Sequence, residues 1–310
     1  YTKKKIKLKN KNIKKKYSSN SINFLIMIFV NLINILKSDI IIISHINLLP
    51  FLTIPILFKR KVVLLSYGLE IWGEEKNLFY KYIIKKINYF ICMRLYTMKK
   101  LKKMYKLNDK KYFLLSNCIK IKKLTKLNKN NKNIITVARL DAGEKFKGVD
   151  ETLEAISLHK NINFKYFVVG DGDDKKRLKN KAKDLNIKGN VIFFGKVSNK
   201  VRSYLLSKSH IISMPGSDKT FDTYPFRFIF LEAAEFGLKI IASHPSEKNE
   251  LDSKKRYNNI NFVNPNNKVQ ILKKILQLQK QKKKYDLKYL NDFSFNNFKN
   301  NLYVIISKIL

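Results

Sequence analysis

Cysteine is scarce in this sequence: its 310 residues contain two, Cys92 and Cys118. A pair this small and this far apart excludes a disulfide framework and the ligand clusters of structural zinc sites. The two are therefore predicted to be reduced, buried thiols in a cytoplasmic protein. A Ser-His-Asp set, a metal-spaced His or Cys cluster and a nucleotide P-loop are also missing from the sequence, so none of these chemistries competes for its function.

Long uninterrupted hydrophobic runs are also lacking. The run from Ile22 to Leu36 is broken by three asparagines, and a membrane span needs about 20 apolar residues with few polar ones. This run is predicted to be a buried or interfacial helix. A second apolar run, Leu48 to Phe58, contains two prolines that argue against one long helix. No signal peptide is evident, and because the sequence begins at Tyr1 without an initiator Met, residues upstream could be missing.

Acidic residues are few: 23 Asp and Glu stand against 64 Lys and Arg, which gives a net charge of +41. Such an excess argues for an anionic partner, but Lys, Asn and Ile are enriched together, and a compositional drift of the whole sequence explains much of it. Positive charge is denser in the N-terminal part, with 29 basic and 5 acidic residues (+24) in 1–127 against 35 and 18 (+17) in 128–310. That part would suit an anionic leaflet, and an ordinary solvated surface is the alternative.

Short apolar strands alternate with amphipathic helices between residues 133 and 243. The predicted strands are 134–140, 164–169, 191–194 and 210–214, the predicted helices are 149–156 and 175–185, and each of the last three strands runs into Gly or Pro. Repeated βα units of this kind predict an α/β fold with a parallel sheet. Ligands of such sheets bind beyond the carboxyl ends of the strands, where Arg139, Lys147, Gly170 and Gly216 fall.

Five motifs in this order carry a resemblance to a known family. They are Ala138-Arg139-Leu140 with Glu144 to Asp150, Val168 to Gly172, Phe194 to Val197, Leu231-Glu232-Ala233-Ala234, and Gly237 to Ser243. The set closely resembles the donor-binding half of the family 4 retaining glycosyltransferases of the GT-B fold (glycosyltransferase group 1). The resemblance implies two Rossmann-like domains whose parallel sheets face a cleft.

The resemblance also implies a domain layout. Residues 1–122 would form the N-terminal acceptor-side domain, completed by a terminal helix at 296–310, with a linker at 123–132 and the donor-binding domain at 133–295. The N-terminal domain reads as incomplete, because its first strand and Gly-rich turn are not visible. Strands are predicted at 40–45, 89–93 and 112–117, the first of them fully buried, and 61–72 would be a strand with its following loop. Residues 251–268 are predicted to be a polar loop and 269–281 a helix.

The chemistry implied is transfer of a sugar from a nucleoside diphosphate with retention at the anomeric carbon and without a metal or other cofactor. Arg139 and Lys147 match the family's phosphate-contacting pair, with Lys145 nearby, and Glu232 matches the second Glu of its E-x7-E motif, which binds the ribose hydroxyls. Gly170, Gly172, Val197 and Gly216 complete the expected donor site. Two positions depart from the family: Tyr224 replaces the first Glu of the motif, and Arg227 stands where a Gly is usual. On the acceptor side Tyr67 replaces a His, followed by Gly68 and Glu70.

Three functions remain open at this point. The first is a glycosyltransferase that acts on a glycan or lipid-linked acceptor of the cell envelope. Such an enzyme would be in the cytoplasm or on the inner face of the plasma membrane, and the anionic membrane would then be a peripheral partner. The second is a nucleotide-sugar-binding protein that has lost turnover, suggested by Tyr67, Tyr224 and the short first domain. The third, suggested by charge alone, is a nucleic-acid-binding protein; the motifs argue against a nucleic-acid partner.

Overall fold

The computed structural model describes residues 26, 28–68, 71, 77–107, 110–119, 132–216, 228–243, 259–281 and 288–310, without the side chains of 52, 55, 57 and 144–146. Contacts between Cα atoms divide the chain into two units. One comprises Tyr1–Ser116 with Asn301–Leu310, and the other comprises Asn117–Asn300. Of the predicted linker and its flanks, residues 120–131 lie outside the described residues.

The first unit contains four parallel strands, β1 (Ile40–Ile43), β2 (Lys61–Ser66), β3 (Tyr89–Cys92) and β4 (Lys111–Leu114), hydrogen-bonded in chain order. These are the four strands that the sequence predicts. The helices of the unit are α1 (Leu32–Leu36), α2 (Thr53–Leu57), α3 (Leu78–Lys86) and α4 (Leu95–Tyr105). Its core packs β2 and β3 against α3 and α4, and the ring of Phe90 stacks on that of Tyr112 with centroids 5.1 Å apart.

One burial prediction for this unit is wrong. Strand β1 is not fully buried, because within the described part of the chain it lies at the edge of the sheet; Ile43 is buried, whereas Ile42 is 48% exposed. Helix α1 buries none of its five residues, and Phe29, Val30 and Ile33 are exposed. Of the two forms predicted for this apolar run, a buried or an interfacial helix, the described residues therefore exclude the buried one.

The second unit contains six parallel strands, β5 (Ile134–Val137), β6 (Tyr166–Val169), β7 (Val191–Gly195), β8 (Ile211–Met214), β9 (Lys239–Ser243) and β10 (Ile260–Val263). Its helices are α5 (Val149–Ser157), α6 (Lys175–Asp184), α7 (Asn199–Ser207), α8 (Phe228–Glu235) and α9 (Lys268–Lys280). The final helix, α10 (Phe295–Ile309), begins in this unit and ends in the first, where Lys61 Nζ donates to the carbonyl oxygens of Ile309 and Leu310. The predicted parallel sheet is confirmed.

Strand β10 lies in a segment that the sequence analysis predicts to be a polar loop, and that prediction is wrong. The polar residue directly before the strand is satisfied inside the fold. Asn259 is fully buried, accepts a hydrogen bond from the hydroxyl of Tyr289 at 2.9 Å, and accepts another at its carbonyl from the backbone N–H of Ile240. Buried amides that find such partners cost little, so a sequence rich in Asn can still form an edge strand.

The order of the six strands is β10-β9-β8-β5-β6-β7. From β5 the chain builds outward through β6 to β7, and it then returns to the other side of β5 and builds outward through β8 to β10. The carboxyl ends of β5 and β8 thus lie side by side at the point where the order reverses. In open parallel sheets this is where loops diverge and leave room for a ligand.

Candidate active site

Close packing of glycines brings the loops at this switch point together. Gly148, which precedes α5, has φ +86°, and a Cβ placed on it would lie 2.5 Å from the backbone N of Pro215 and 2.6 Å from that of Gly216. The start of α5 therefore lies against the loop that follows β8. The hydroxyl of Ser243, at the end of β9, holds that loop by donating to the carbonyl of Gly216 at 2.8 Å.

The loops after β5 and β6 are joined by backbone hydrogen bonds on both sides of Arg139. The N–H of Ala138 donates to Val169, and the N–H of Leu140 donates to Asp171 at 2.9 Å. Gly170 makes this approach possible, because a Cβ there would lie 1.7 Å from the carbonyl oxygen of Ala138. The backbone of Arg139 is thus fixed at the strand ends, while its side chain is 68% exposed and lies 3.7 Å from Asp141.

Gly172, two residues after Gly170, also packs closely against the loop after β5. A Cβ on it would lie 2.3 Å from the carbonyl oxygen of Leu140, and its φ of +157° belongs to a region that L side chains rarely adopt. Both glycines of the Gly170-Asp171-Gly172 turn are therefore required by how closely the two loops pack.

Lys147 immediately precedes the N-terminus of α5 at the switch point. A 3-10 turn over Ala142–Lys147 connects β5 to this helix. Unpaired N–H groups and the helix dipole make such an N-terminus favourable for an anion. Lys147 adds a cationic side chain beside it.

The acids in the first turn of α5 would oppose an anion if their charges were not balanced. Asp150 receives two hydrogen bonds from Arg177, at 2.8 and 2.6 Å, and one from Lys181 at 2.6 Å. Burial alone would raise the pKa of Asp150, but these hydrogen bonds lower it. Burial raises the pKa of Glu151, which disfavours its charged form. The negative charge of Asp150 is therefore balanced by Arg177 and Lys181.

The loop after β7 leads into α7. Val197 is followed by Ser198, whose hydroxyl accepts a hydrogen bond from the N–H of Val201 at 3.3 Å and so caps α7. The N–H of Gly170 donates to the carbonyl of Gly195 at 2.9 Å, which joins this loop to the one after β6. Val197 thus lies at the same edge of the sheet as Arg139 and Gly170.

Glu232 lies on α8 and is held by a side chain that the sequence analysis did not select. Arg202 on α7 donates from Nε to Oε2 and from Nη2 to Oε1, both at 3.0 Å. The side chains of Arg202 and Glu232 are 29% and 20% exposed. A single sequence gives no signal for this pair, because the two residues lie 30 positions apart on different helices.

With this geometry established, comparison with known proteins identifies the family. The family model described as "Glycosyl transferases group 1" matches residues 119–293, more than half of the chain. The chain belongs to the group 1 glycosyltransferases. No curated protein sequence gave a significant match.

Solved structures of similar proteins extend the comparison to both units. A glycosyltransferase from Rickettsia africae is 17% identical with a TM-score of 0.69, over 96% of this chain and 84% of that one. The lipopolysaccharide outer core galactosyltransferase WaaB in its apo form is 14% identical with a TM-score of 0.67, over 94% and 83%. HepE from Anabaena, in complex with UDP and glucose, is 14% identical with a TM-score of 0.67, over 93% and 83%. The fold of this group 1 glycosyltransferase is GT-B.

The structure locates most of the site residues predicted from the sequence. The loops after the strands of the second unit carry Arg139, Lys147, Gly170, Gly172, Val197 and Gly216, and Glu232 lies within α8. Tyr67, 43% exposed, and Gly68 directly follow β2 in the first unit. Tyr224, Arg227, Glu70 and the side chain of Lys145 lie outside the described residues. The roles assigned to all of these residues stay predictions.

The described part of this glycosyltransferase contains no candidate metal centre and no candidate membrane span. No three His, Cys, Asp or Glu side chains among the described residues are grouped as metal ligands. No helix of the described residues is both long and apolar enough to cross a membrane.

Proposed function

We propose that this protein is a family 4 retaining glycosyltransferase that moves a sugar from a nucleoside diphosphate donor to a glycan or glycolipid acceptor of the cell envelope. One observation carries the proposal: the contact of Gly148 with Pro215 and Gly216, which sets Lys147 and the N-terminus of α5 at the switch point of the sheet. Arg139 lies at the end of the adjacent strand β5.

The leaving group of this reaction is a nucleoside diphosphate, so negative charge grows on the diphosphate as the glycosidic bond breaks. Arg139 and Lys147 would neutralise that charge together with the N–H groups that open α5. Because these groups are built into strand and helix ends, they need little reorganisation during the reaction. In this proposal no metal or other cofactor is required, and Lys145 would supply a further cation.

The nucleoside would lie across the same edge of the sheet. Glu232 would accept hydrogen bonds from the two ribose hydroxyls, since a carboxylate offers two acceptor oxygens to a vicinal diol. The backbone near Val197 would contact the base. Tyr224 and Arg227 would reshape the contacts to the donor sugar, because a Tyr hydroxyl replaces the family's first carboxylate there.

Similar proteins suggest where to look for the substrates. The HepE structure contains UDP and glucose, which makes uridine diphosphate sugars the first donors to test. WaaB is a lipopolysaccharide outer core galactosyltransferase, which supports a polysaccharide or lipopolysaccharide acceptor of the cell envelope.

We place the enzyme in the cytoplasm, in peripheral contact with the anionic inner face of the plasma membrane. Support comes from the exposed Phe29, Val30 and Ile33 and from the dense positive charge of residues 1–127. Sedimentation with vesicles tests this: binding should require anionic lipid and weaken when Phe29 and Ile33 are both changed to Ser. Equal binding to zwitterionic vesicles, or no effect of the double change, would contradict it.

A catalytically impaired nucleotide-sugar-binding protein is the second candidate. It is favoured by Tyr67 and Tyr224, which stand where the family has a His and a Glu. Release of nucleoside diphosphate from a sugar donor in the presence of acceptor separates the two candidates, and the anomeric configuration of the product tests retention. Binding of nucleoside diphosphates without release would leave the second candidate. Salt-sensitive binding of a DNA duplex without nucleotide binding would contradict both.

A further inference from the structure

The pair formed by Arg202 and Glu232 has a geometry that leaves the carboxylate able to bind a ligand. The guanidinium meets the carboxylate side-on, and each oxygen accepts one hydrogen bond at 3.0 Å. A carboxylate has about four lone-pair positions, two on each oxygen. Among the described residues Arg202 takes one position on each oxygen, and a second position on each would suit a further pair of donors, such as the two hydroxyls of a ribose.

The same pairing fixes the direction in which the carboxylate faces. A lone Glu side chain has three rotatable bonds, and holding it in one orientation costs conformational entropy. The planar fork of an Arg sets the plane of a bound carboxylate, which a point-like ammonium cannot do. With Glu232 only 20% exposed, the pair is partly shielded from water and is stronger than an exposed one.

Helix α7 connects this pair to the proposed base contact near Val197. The helix begins right after Val197 and Ser198, is capped by the Ser198 hydroxyl, and carries Arg202 in its second turn. From this position Arg202 holds the Glu232 carboxylate on α8 at a fixed place relative to the loop after β7. One helix thus bears on both the base and the ribose parts of the proposed nucleoside site.

We propose that Arg202 is a positioning residue that orients Glu232 for the vicinal hydroxyls of the donor ribose and thereby sets the preference for ribonucleotides. This inference rests on the proposed function, in which Glu232 binds the ribose. Arg202 itself touches no substrate, and its effect passes through the carboxylate.

Binding of nucleoside diphosphates tests the proposal, because it requires no knowledge of the sugar or acceptor. The wild type is titrated with UDP, GDP and ADP, and the tightest of these is then compared with its 2′-deoxy and 3′-deoxy analogues. In Arg202→Met the preference for the ribose form should fall about tenfold, which corresponds to about 1.4 kcal/mol. Arg202→Lys, which keeps the charge without the fork, should lie in between and serves as a second variant if Arg202→Met does not fold.

Arg177→Met is the matched control, because Arg177 also holds a carboxylate, that of Asp150, through two hydrogen bonds, at 2.8 and 2.6 Å. It should lower stability while leaving the ribose preference unchanged. An unchanged preference in both Arg202 variants, or tighter diphosphate binding once Arg202 is removed, would overturn the positioning role. If the wild type binds no nucleoside diphosphate, the proposed function itself fails; if it binds but Arg202 has no effect on the preference, only this inference fails.

Discussion

Replacing Gly148 by Ala tests whether the contact between α5 and the loop after β8 holds the site together. An L residue in the left-handed region costs about 1–2 kcal/mol, and Gly148 has φ +86°. A Cβ at 2.5 Å from the backbone N of Pro215 must also displace one of the two segments, and overpacking of this kind costs about 1–3 kcal/mol. The free energy of unfolding of the second unit should therefore fall by about 2–5 kcal/mol.

For a domain of this size, 1 kcal/mol changes the melting temperature by about 2–4 °C, so the expected decrease is on the order of 10 °C. Calorimetry of the wild type and the variant measures it directly. Nucleoside diphosphate affinity should fall too, because Lys147 and Gly216 lie on the displaced segments.

Gly143→Ala is the matched control, since Gly143 lies in the same 3-10 turn and a Cβ there would meet nothing within 4 Å. Its melting temperature should stay close to that of the wild type, with a change in stability within about 0.5 kcal/mol. A Gly148→Ala protein that melts within about 1 °C of the wild type and binds the diphosphate equally well would refute the reasoning.

Three further predictions concern buried ionisable groups. Because burial raises the pKa of Glu151, the native state binds its proton more readily than the unfolded state, and wild-type stability is lost as pH rises above the ordinary Glu range. Glu151→Gln should therefore be more stable than the wild type in urea at pH 7, by a margin that shrinks toward pH 4. Burial raises the pKa of the Cys92 thiol to about 12, so a thiol reagent should label Cys118 in the native protein and both cysteines only in urea. Lys239→Met should lower stability by about 1–3 kcal/mol, measured by urea unfolding, because the carbonyls of Leu278 and Gln281 at the end of α9 each lose one donor.

Each of these has an outcome that would contradict it. Equal stabilities of Glu151→Gln and the wild type at pH 7 would show that the carboxyl group is not disfavoured by burial. Rapid labelling of Cys92 in the folded protein would contradict its burial. An unchanged urea midpoint for Lys239→Met would mean that the end of α9 does not depend on the ammonium group.

The second unit was largely predictable from the sequence because local signals and burial agree there. Strands such as Tyr166–Val169 are wholly buried, so an apolar run ending in Gly is enough to locate them. Strand β10 was missed because Asn259, directly before it, is stabilised by partners distant in sequence, such as Tyr289. The burial of β1 was overestimated, because an all-isoleucine run does not reveal whether a strand has one neighbour or two.

The site was predictable only in part, for a similar reason. Motif positions such as Arg139, Lys147 and Gly170 follow strand ends, and the structure places them at the carboxyl edge of one sheet. Arg202 was missed because its role depends on the packing of α7 beside α8, which no local pattern encodes. The compensation of Asp150 by Arg177 is likewise a contact between two helices.

Nucleoside diphosphate binding by variants of the two predicted phosphate cations tests the central claim most directly. Titration calorimetry would measure the binding of the diphosphate and of the bare nucleoside to the wild type, Arg139→Ala and Lys147→Ala. Lys188→Ala is the control, because Lys188 lies at the amino end of β7. The account predicts that Arg139→Ala and Lys147→Ala bind the diphosphate at least about tenfold more weakly than the wild type, a loss of about 1.4 kcal/mol in binding free energy. Their affinity for the bare nucleoside, and the diphosphate affinity of Lys188→Ala, should equal those of the wild type. Unchanged diphosphate affinity in both Arg139→Ala and Lys147→Ala would contradict it.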